Sequence, residues 1–242
     1  IAIPTTAGTG SESTNFSVLY YRKVKYSISS TSMLPNFVIL EADLLKSLPS
    51  YQAHCSLFDA LTQAIESYWS KFSNKISKNF SEEAIEIILG NFEEYVLNKN
   101  KHVQSKMLYA SNLSGKAINI AKTTAPHALS YALTSYYNIP HGHAVAMLFS
   151  KTIKISYKKM TMSDKKNLHK LFDMFFVKDI NNFCQKWDFL MERANLKTSA
   201  RDFGIQETDV EFISNQVNYE RLNNHPVKLD NCDLKEIIRE II

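Results

Sequence analysis

Three of the seven histidines fall between residues 127 and 143, on either side of a short turn. The stretch KTTAPHALSYALTSYYNIPHGHAVAM, residues 122–147, puts His127 in the first turn of one helical segment and His141 and His143 at the start of the next. Asn138, Ile139 and Pro140 turn the chain between them. Imidazoles at helix starts around one turn can converge on a point, which is what a divalent metal site needs. A histidine in a first helical turn also has ordinary structural uses, so both readings of His127 stand at this level.

Asp59, Gln63 and Glu66 recur at i, i+4 and i+7, opposite an apolar side made by Leu57, Leu61, Ala64, Ile65 and Tyr68. The polar side is either a solvated helix face or a source of ligands, with Asp59 offering a carboxylate and Gln63 a neutral oxygen one turn on. Residues 4–12, PTTAGTGSE, are small and hydroxyl-rich and follow a β-like run. Such a loop can bring backbone N–H groups close to phosphate oxygens, or can be a plain surface loop. Lys116 and Lys122 bind an anionic group if they face a cleft; on helices, lysines more usually face solvent, and Lys122 also suits a helix C-terminus.

Around these residues the composition is that of a globular chain: 242 residues, 45% hydrophobic, enough for one large domain or two smaller ones with a substantial core. The longest apolar runs fall short of the roughly 20 residues that a membrane span needs, and no secretory leader opens the chain. No membrane association and a cytoplasmic location are expected. The three cysteines, Cys55, Cys184 and Cys232, are odd in number and widely spaced, which fits reduced packing thiols. The net charge of +4 comes from scattered lysines without interleaved aromatics, so no nucleic-acid partner is expected, while a small anionic substrate fits. Because the chain opens with Ile1-Ala2-Ile3 and enters the Thr/Gly loop at once, it reads as cut inside a strand.

Two β-rich runs, 17–21 and 24–28, read as a hairpin around Arg22 and Lys23, and 37–40 reads as a short buried strand. From about Asp43 the pattern is helical, with helices expected near 50–71, 81–97, 103–121, 125–136, 143–157, 164–175, 180–194, 207–218 and 232–241. Thr123 or Thr124 is the candidate N-cap before Pro126. Aromatic stripes at 168–176 and 183–190, including Phe176 and Phe189, read as core. His169 and His225, lacking ligand-spaced companions, read as surface residues. The expected architecture is mainly α: the end of an α/β domain over 1–42, then a helical domain over 43–242.

PTTAGTGSE, DALTQAIESY, PHALSY and IPHGHAVA, in this order and at these separations, resemble the iron-containing (group III) alcohol dehydrogenases over nearly the whole chain. The resemblance implies a Rossmann-like NAD(P)-binding domain followed by an all-helical metal-binding domain, the dehydroquinate synthase-like fold, with Fe2+ or Zn2+ as the metal. It makes Thr5, Thr6, Gly8, Thr9, Gly10 and Ser11 cofactor-binding residues and Asp59, His127 and His141 metal ligands. Gln63 stands where the family has a further ligand histidine, and an amide oxygen binds iron or zinc less tightly than an imidazole does. Tyr131 replaces a second family histidine assigned to the proton path, which leaves Tyr131 and His143 as catalytic candidates. Leu57 replaces a common glycine. The family's GGGS phosphate-binding segment is absent, in keeping with an N-terminally truncated chain.

Within the family, segments 59–70, 115–131 and 139–146 resemble the phosphonoacetaldehyde reductases. This resemblance implies a small anionic aldehyde as substrate, with Lys116, Lys122 and Thr123 as its binding residues, since cations and hydroxyls suit a phosphonate. The expected function is therefore metal-assisted, NAD(P)-dependent interconversion of an alcohol and an aldehyde, in a homodimer. Two alternatives stand beside it: a dehydroquinate-synthase-like lyase and a non-catalytic interaction module.

Overall fold

A computed structural model describes residues 1–21, 24–98, 100–217 and 219–242. The turn of the expected hairpin, Arg22-Lys23, and the last residue of the expected 207–218 helix lie outside the described residues. The chain divides into two compact units, one of residues 1–68 with 72–122 and one of residues 69–71 with 123–242.

In the first unit, strands β1 (Phe16–Tyr21) and β2 (Val24–Ser29) pair antiparallel with Phe16 opposite Ser29. Helices α1 (Ser50–Trp69), α2 (Lys75–Gly90), α3 (Phe92–Leu97) and α4 (Lys101–Ala121) follow, and α2 packs along α4. The expected strand at 37–40 is reduced to one parallel bridge between Ala2 and Val38, and its residues are exposed rather than buried, Phe37 by 69%. Among the described residues two backbone bonds, Ala2 N–H to Phe37 O and Ile39 N–H to Ala2 O, join these segments, too few for a ladder.

The helix expected at 81–97 is two helices with an earlier start. Asn74 caps α2, its side chain accepting from the N–H groups of Ile76 and Ser77 while Ser77 Oγ accepts from Asn74 N–H. At the other end Asn91 leaves helical geometry (φ −122°, ψ 10°), and its amide donates to Ile87 O at 2.7 Å. Asparagine competes with the ladder in this way, which separates α2 from α3.

The second unit is helical: α5 (Ala125–Tyr137), α6 (His141–Lys159), α7 (Met162–Met174), α8 (Ile180–Arg193), α9 (Val210–Asn215), α10 (Tyr219–Leu222) and α11 (Asn231–Ile241). The segment expected as one helix from 207 is a 3-10 turn at Glu207–Asp209 running into the short α9. Helix α6 packs against α5, α8 and α11 and is buried without a break from Gly142 to Ser150. A helix apolar on all sides belongs at the centre of its unit. Two of its buried hydroxyls bond back within the helix, Thr152 to Leu148 O and Ser156 to Thr152 O, while Ser150 donates to Asp188 Oδ1 on α8. Phe149, Phe175, Phe183 and Trp187 fill the core beside it, and Trp187 Nε1 donates to Ala146 O.

Three side chains read from sequence as core or surface are placed otherwise. Phe176 is 94% exposed, because it sits past the end of α7 in the left-handed region (φ +56°). Phe189 is also exposed, on the outer side of α8. His225 is fully buried and hydrogen-bonded, since its partners come from distant segments rather than from its own neighbours. The three cysteines form no disulfide; Cys55 and Cys184 are buried, and Cys232 is exposed rather than packed. Among the described residues no helix is long and apolar enough to cross a membrane.

Candidate active site

In the second unit two histidine rings meet at the α5–α6 turn. Thr124, extended, is the N-cap of α5 with no side-chain capping bond; Pro126 lies in the first turn and His127 follows it. Proline tolerates this position because the first N–H groups of a helix have no internal partner. The helix ends at Asn138 in the left-handed region (φ 55°), and after Ile139 and Pro140 the chain enters α6 at His141. The rings of His127 and His141 lie 5.3 Å apart, centre to centre, at 70°. His127 is buried and His141 partly exposed.

Both rings sit in the first turn of their helices. Ser130 Oγ donates to His127 O at 2.9 Å and stands 3.4 Å from His141 Nδ1. With its proton engaged, the hydroxyl accepts from Nδ1–H, which leaves the His141 lone pair on Nε2, the arrangement expected of a metal-binding imidazole. Tyr131 stacks on His141 at 6.2 Å and 15°. His143 points elsewhere: it is fully buried, its Nε2 lies 2.7 Å from Lys197 O, and Phe203 meets it edge-on. Burial holds its pKa below the ordinary histidine value, against the raising effect of the carbonyl bond.

In the first unit α1 is buried from Ala53 to its end. The solvated-face reading of Asp59, Gln63 and Glu66 is therefore overturned: they are 3%, 4% and 0% exposed. An ionised carboxylate removed from water must be compensated by a cation or by donors. Ser114 on α4 donates to Ala60 O at 2.9 Å and lies 3.2 Å from Gln63 Oε1, fixing the amide one turn beyond Asp59.

The Thr/Gly loop of the same unit shows a division of labour. Its glycines face helices. A Cβ on Gly8 would lie 2.8 Å from Ser56 Cβ; one on Gly115 would lie 2.3 Å from Gly10 O, and Gly10 itself has φ +58°. The hydroxyl residues Thr5, Thr9 and Ser11 are exposed and Thr6 is partly so. The loop is clasped to α4 by Asn112, whose amide donates to Glu12 Oε1 and Ser13 Oγ, and by Asn119, which accepts from Asn15 N–H. Sequence reasoning missed Asn112, Ser114, Gly115 and Asn119. Their signal was a run of small and polar residues, ASNLSGKAIN, along what is a buried side of α4.

The two candidate anion-binding lysines differ. Lys116 is exposed, with its ammonium 5.9 Å from the Phe80 ring, and lines a cavity of about 310 Å3 with Glu12, Ser13 and Asn119. Lys122 is partly buried at the C-cap of α4 with φ 60° and ψ 169°, a region that side-chain-bearing residues rarely occupy. Its ammonium lies 4.6 Å over the Phe16 ring and 3.3 Å from Asn119 O, and burial lowers its pKa. Thr123, in the second unit, is partly exposed, and its carbonyl accepts from Asn224 Nδ2.

The C-terminal model of the Fe-containing alcohol dehydrogenase family matches residues 54–242, and a second model, iron-containing alcohol dehydrogenase, matches residues 1–42. The chain belongs to the iron-containing alcohol dehydrogenase family. It is 31% identical over 222 residues to 4-hydroxybutyrate dehydrogenase of Clostridium kluyveri, covering 90% of this chain and 60% of that protein. With 1,3-propanediol dehydrogenase of Klebsiella pneumoniae it shares 38% identity over 151 residues, 61% of this chain and 39% of that protein. The structure of sulfoacetaldehyde reductase from Bifidobacterium kashiwanohense in complex with NAD+ superposes with a TM-score of 0.88 at 28% identity, covering 99% of this chain and 63% of that one. The fold is accordingly that of the helical domain of the dehydroquinate synthase-like enzymes. The chain spans less than two thirds of the length of each of these three proteins.

Proposed function

We propose that this chain is the metal-binding part of a nicotinamide-dependent oxidoreductase that interconverts an alcohol and an anionic aldehyde. One observation carries the reading: the His127 and His141 rings lie 5.3 Å apart, close enough for two imidazoles to share one metal ion, and in this reading Asp59 supplies the carboxylate. One carboxylate and two imidazoles, the aspartate and His127 buried, suit Fe2+ or Zn2+, with the Gln63 oxygen as a weaker fourth donor. When bound, such an ion supplies Lewis acidity that polarises a carbonyl, and NAD(P)H supplies the hydride.

The chain's own residues do the rest. Tyr131, stacked on His141, delivers a proton to the substrate oxygen as aldehyde becomes alcohol. His143, whose Nε2 is committed to Lys197 O, acts in that proton path only through Nδ1. The exposed hydroxyls of Thr5, Thr9 and Ser11, with Thr6 and the backbone at Gly8 and Gly10, meet the cofactor. Lys122 and Thr123, with Lys116, bind the anionic end of the substrate, for which phosphonoacetaldehyde is the specific candidate. The names of two relatives support an anion, since 4-hydroxybutyrate and sulfoacetaldehyde both carry one.

The test is oxidation of NADH and NADPH by the full-length protein with phosphonoacetaldehyde, sulfoacetaldehyde and succinate semialdehyde, before and after chelation. The reading expects turnover that falls on chelation and returns with Fe2+ or Zn2+. Undiminished turnover by demonstrably metal-free protein would contradict it.

A further inference from the structure

His225 is the most deeply placed histidine whose chemistry the proposed reaction leaves unused. It is fully buried in the second unit, in a segment that lies far along the chain from α5 and α6. Its Nδ1 accepts from Ala125 N–H at 3.4 Å, and its Nε2 lies 2.8 Å from Ser156 Oγ. The proton positions follow from these partners. An amide N–H can only donate, so Nδ1 carries the lone pair and the ring proton sits on Nε2. The Ser156 hydroxyl spends its own proton on Thr152 O at 2.7 Å, so its oxygen accepts from Nε2–H. Every polar atom of the ring is matched by one neutral tautomer.

The ring therefore joins two elements. Ala125 is the first residue of α5, two before His127, and its N–H is one of the four that a helix start leaves without an internal partner. Ser156 stands in the last turns of α6, the helix that His141 opens. Asn224 adds a second tie beside the first: Nδ2 donates to Thr123 O at 3.1 Å, and the carbonyl accepts from Lys71 N–H at 3.0 Å. Trp69 meets the His225 ring edge-on at 5.1 Å, closing the remaining side. The start of α5 has no side-chain N-cap of its own, since the Thr124 side chain makes no capping bond. His225 supplies that cap from 100 residues away.

We infer that His225 is a positioning residue for the imidazole pair: as a neutral Nε2–H tautomer it fixes the first turn of α5 against α6 and so sets the separation of His127 and His141. The inference rests on the reading that these two histidines hold a metal, and its test separates the two. Burial pushes the His225 pKa down to about 3, with the positive charge of Lys71 adding to the shift, so the neutral ring is the form present at ordinary pH.

The experiment uses full-length protein labelled with 15N-histidine, as wild type, His225→Ala, His225→Asn and the core control Phe183→Leu on α8. Asparagine keeps an acceptor where Nδ1 stands and gives up the donor to Ser156. In the metal-free protein, wild type and Phe183→Leu show the Nε2–H pattern at His225 and a nuclear Overhauser contact between the His127 and His141 rings. His225→Ala loses that contact, and His225→Asn recovers part of it. Cobalt titration then shows affinity about 10- to 100-fold weaker in His225→Ala, intermediate in His225→Asn, and close to wild type in Phe183→Leu. If His225→Ala fails to fold, His225→Asn carries both measurements. The inference is overturned if the His225 variants lose thermal stability while ring contact and cobalt affinity stay within about twofold of wild type. If wild type binds no cobalt, the metal reading falls, and the ring contact alone decides the positioning role.

Discussion

The imidazole pair of the second unit and the Thr/Gly loop of the first are built on opposite plans. At the α5–α6 turn the chemically capable groups are sheltered and held by hydrogen bonds: Ser130 orients His141, Tyr131 covers it, and His225 caps the helix that carries His127. In the loop the glycines are buried against α1 and α4 while most of the hydroxyls face out. One region fixes its donors, and the other fixes its backbone and presents donors to whatever arrives. A metal rewards the first plan, because its geometry tolerates little displacement, and a nucleotide phosphate, met by several N–H and O–H groups at once, suits the second.

The widest break in this contrast comes from removing a donor. Asp59→Asn and His127→Ala are each expected to weaken cobalt or zinc binding by more than roughly 100-fold, beyond the 10- to 100-fold typical of groups that only orient ligands. Isothermal titration measures it, with circular dichroism showing that the helices persist.

Gly115→Ala tests the loop's backbone plan, since the added methyl would lie 2.3 Å from Gly10 O. A loss of about 1–3 kcal/mol in urea unfolding is expected for such overpacking, with cobalt affinity changed far less than by the donor variants.

The sheltered plan also carries a pH signature. His225 is neutral in the folded chain down to about pH 3, whereas in the unfolded chain it takes up a proton near its ordinary value of 6.5. Its stabilising contribution is thus fully present above that value and is lost as pH falls through this window, with a slope approaching 1.4 kcal/mol per pH unit. Wild type compared with His225→Asn, unfolded by urea from pH 7 to pH 4.5, isolates that slope from the carboxylates common to both; parallel curves would contradict it.

Gln63→His should strengthen zinc binding by about tenfold, an imidazole replacing an amide oxygen in the same buried row. The smallest effect on the fold is expected from Thr9→Ala: stability within about 0.5 kcal/mol, because its hydroxyl bonds only within the exposed loop, together with weaker NADH binding by the full-length protein.

Much of the helical unit was legible in the sequence because its punctuation is local. Pro126, Asn138 and Pro140 bracket α5 and α6 by their own backbone preferences, and the boundaries read from them lie within two residues of those observed. Local punctuation was also misread, as when the polar start of α2 hid its Asn74 cap. What stayed hidden depended on distant partners. Asp59, Gln63 and Glu66 have the spacing of a solvated face, and only the tertiary structure puts them out of water. His225 has no ligand-spaced neighbours, yet its partners are Ala125 and Ser156. The loop glycines suggested phosphate contact, and the structure adds a packing role that sequence spacing does not encode, because Gly10 needs Gly115 opposite it.

The most direct measurement is the stoichiometry and ligand set of bound metal in the full-length protein. Cobalt absorption and X-ray absorption spectra should be collected for wild type, Asp59→Asn, His127→Ala and His141→Ala. The account predicts one ion per chain, two imidazoles among its ligands, and loss of the spectrum in each single variant. A wild-type protein that binds no ion, or variants that all retain its spectrum, would contradict it.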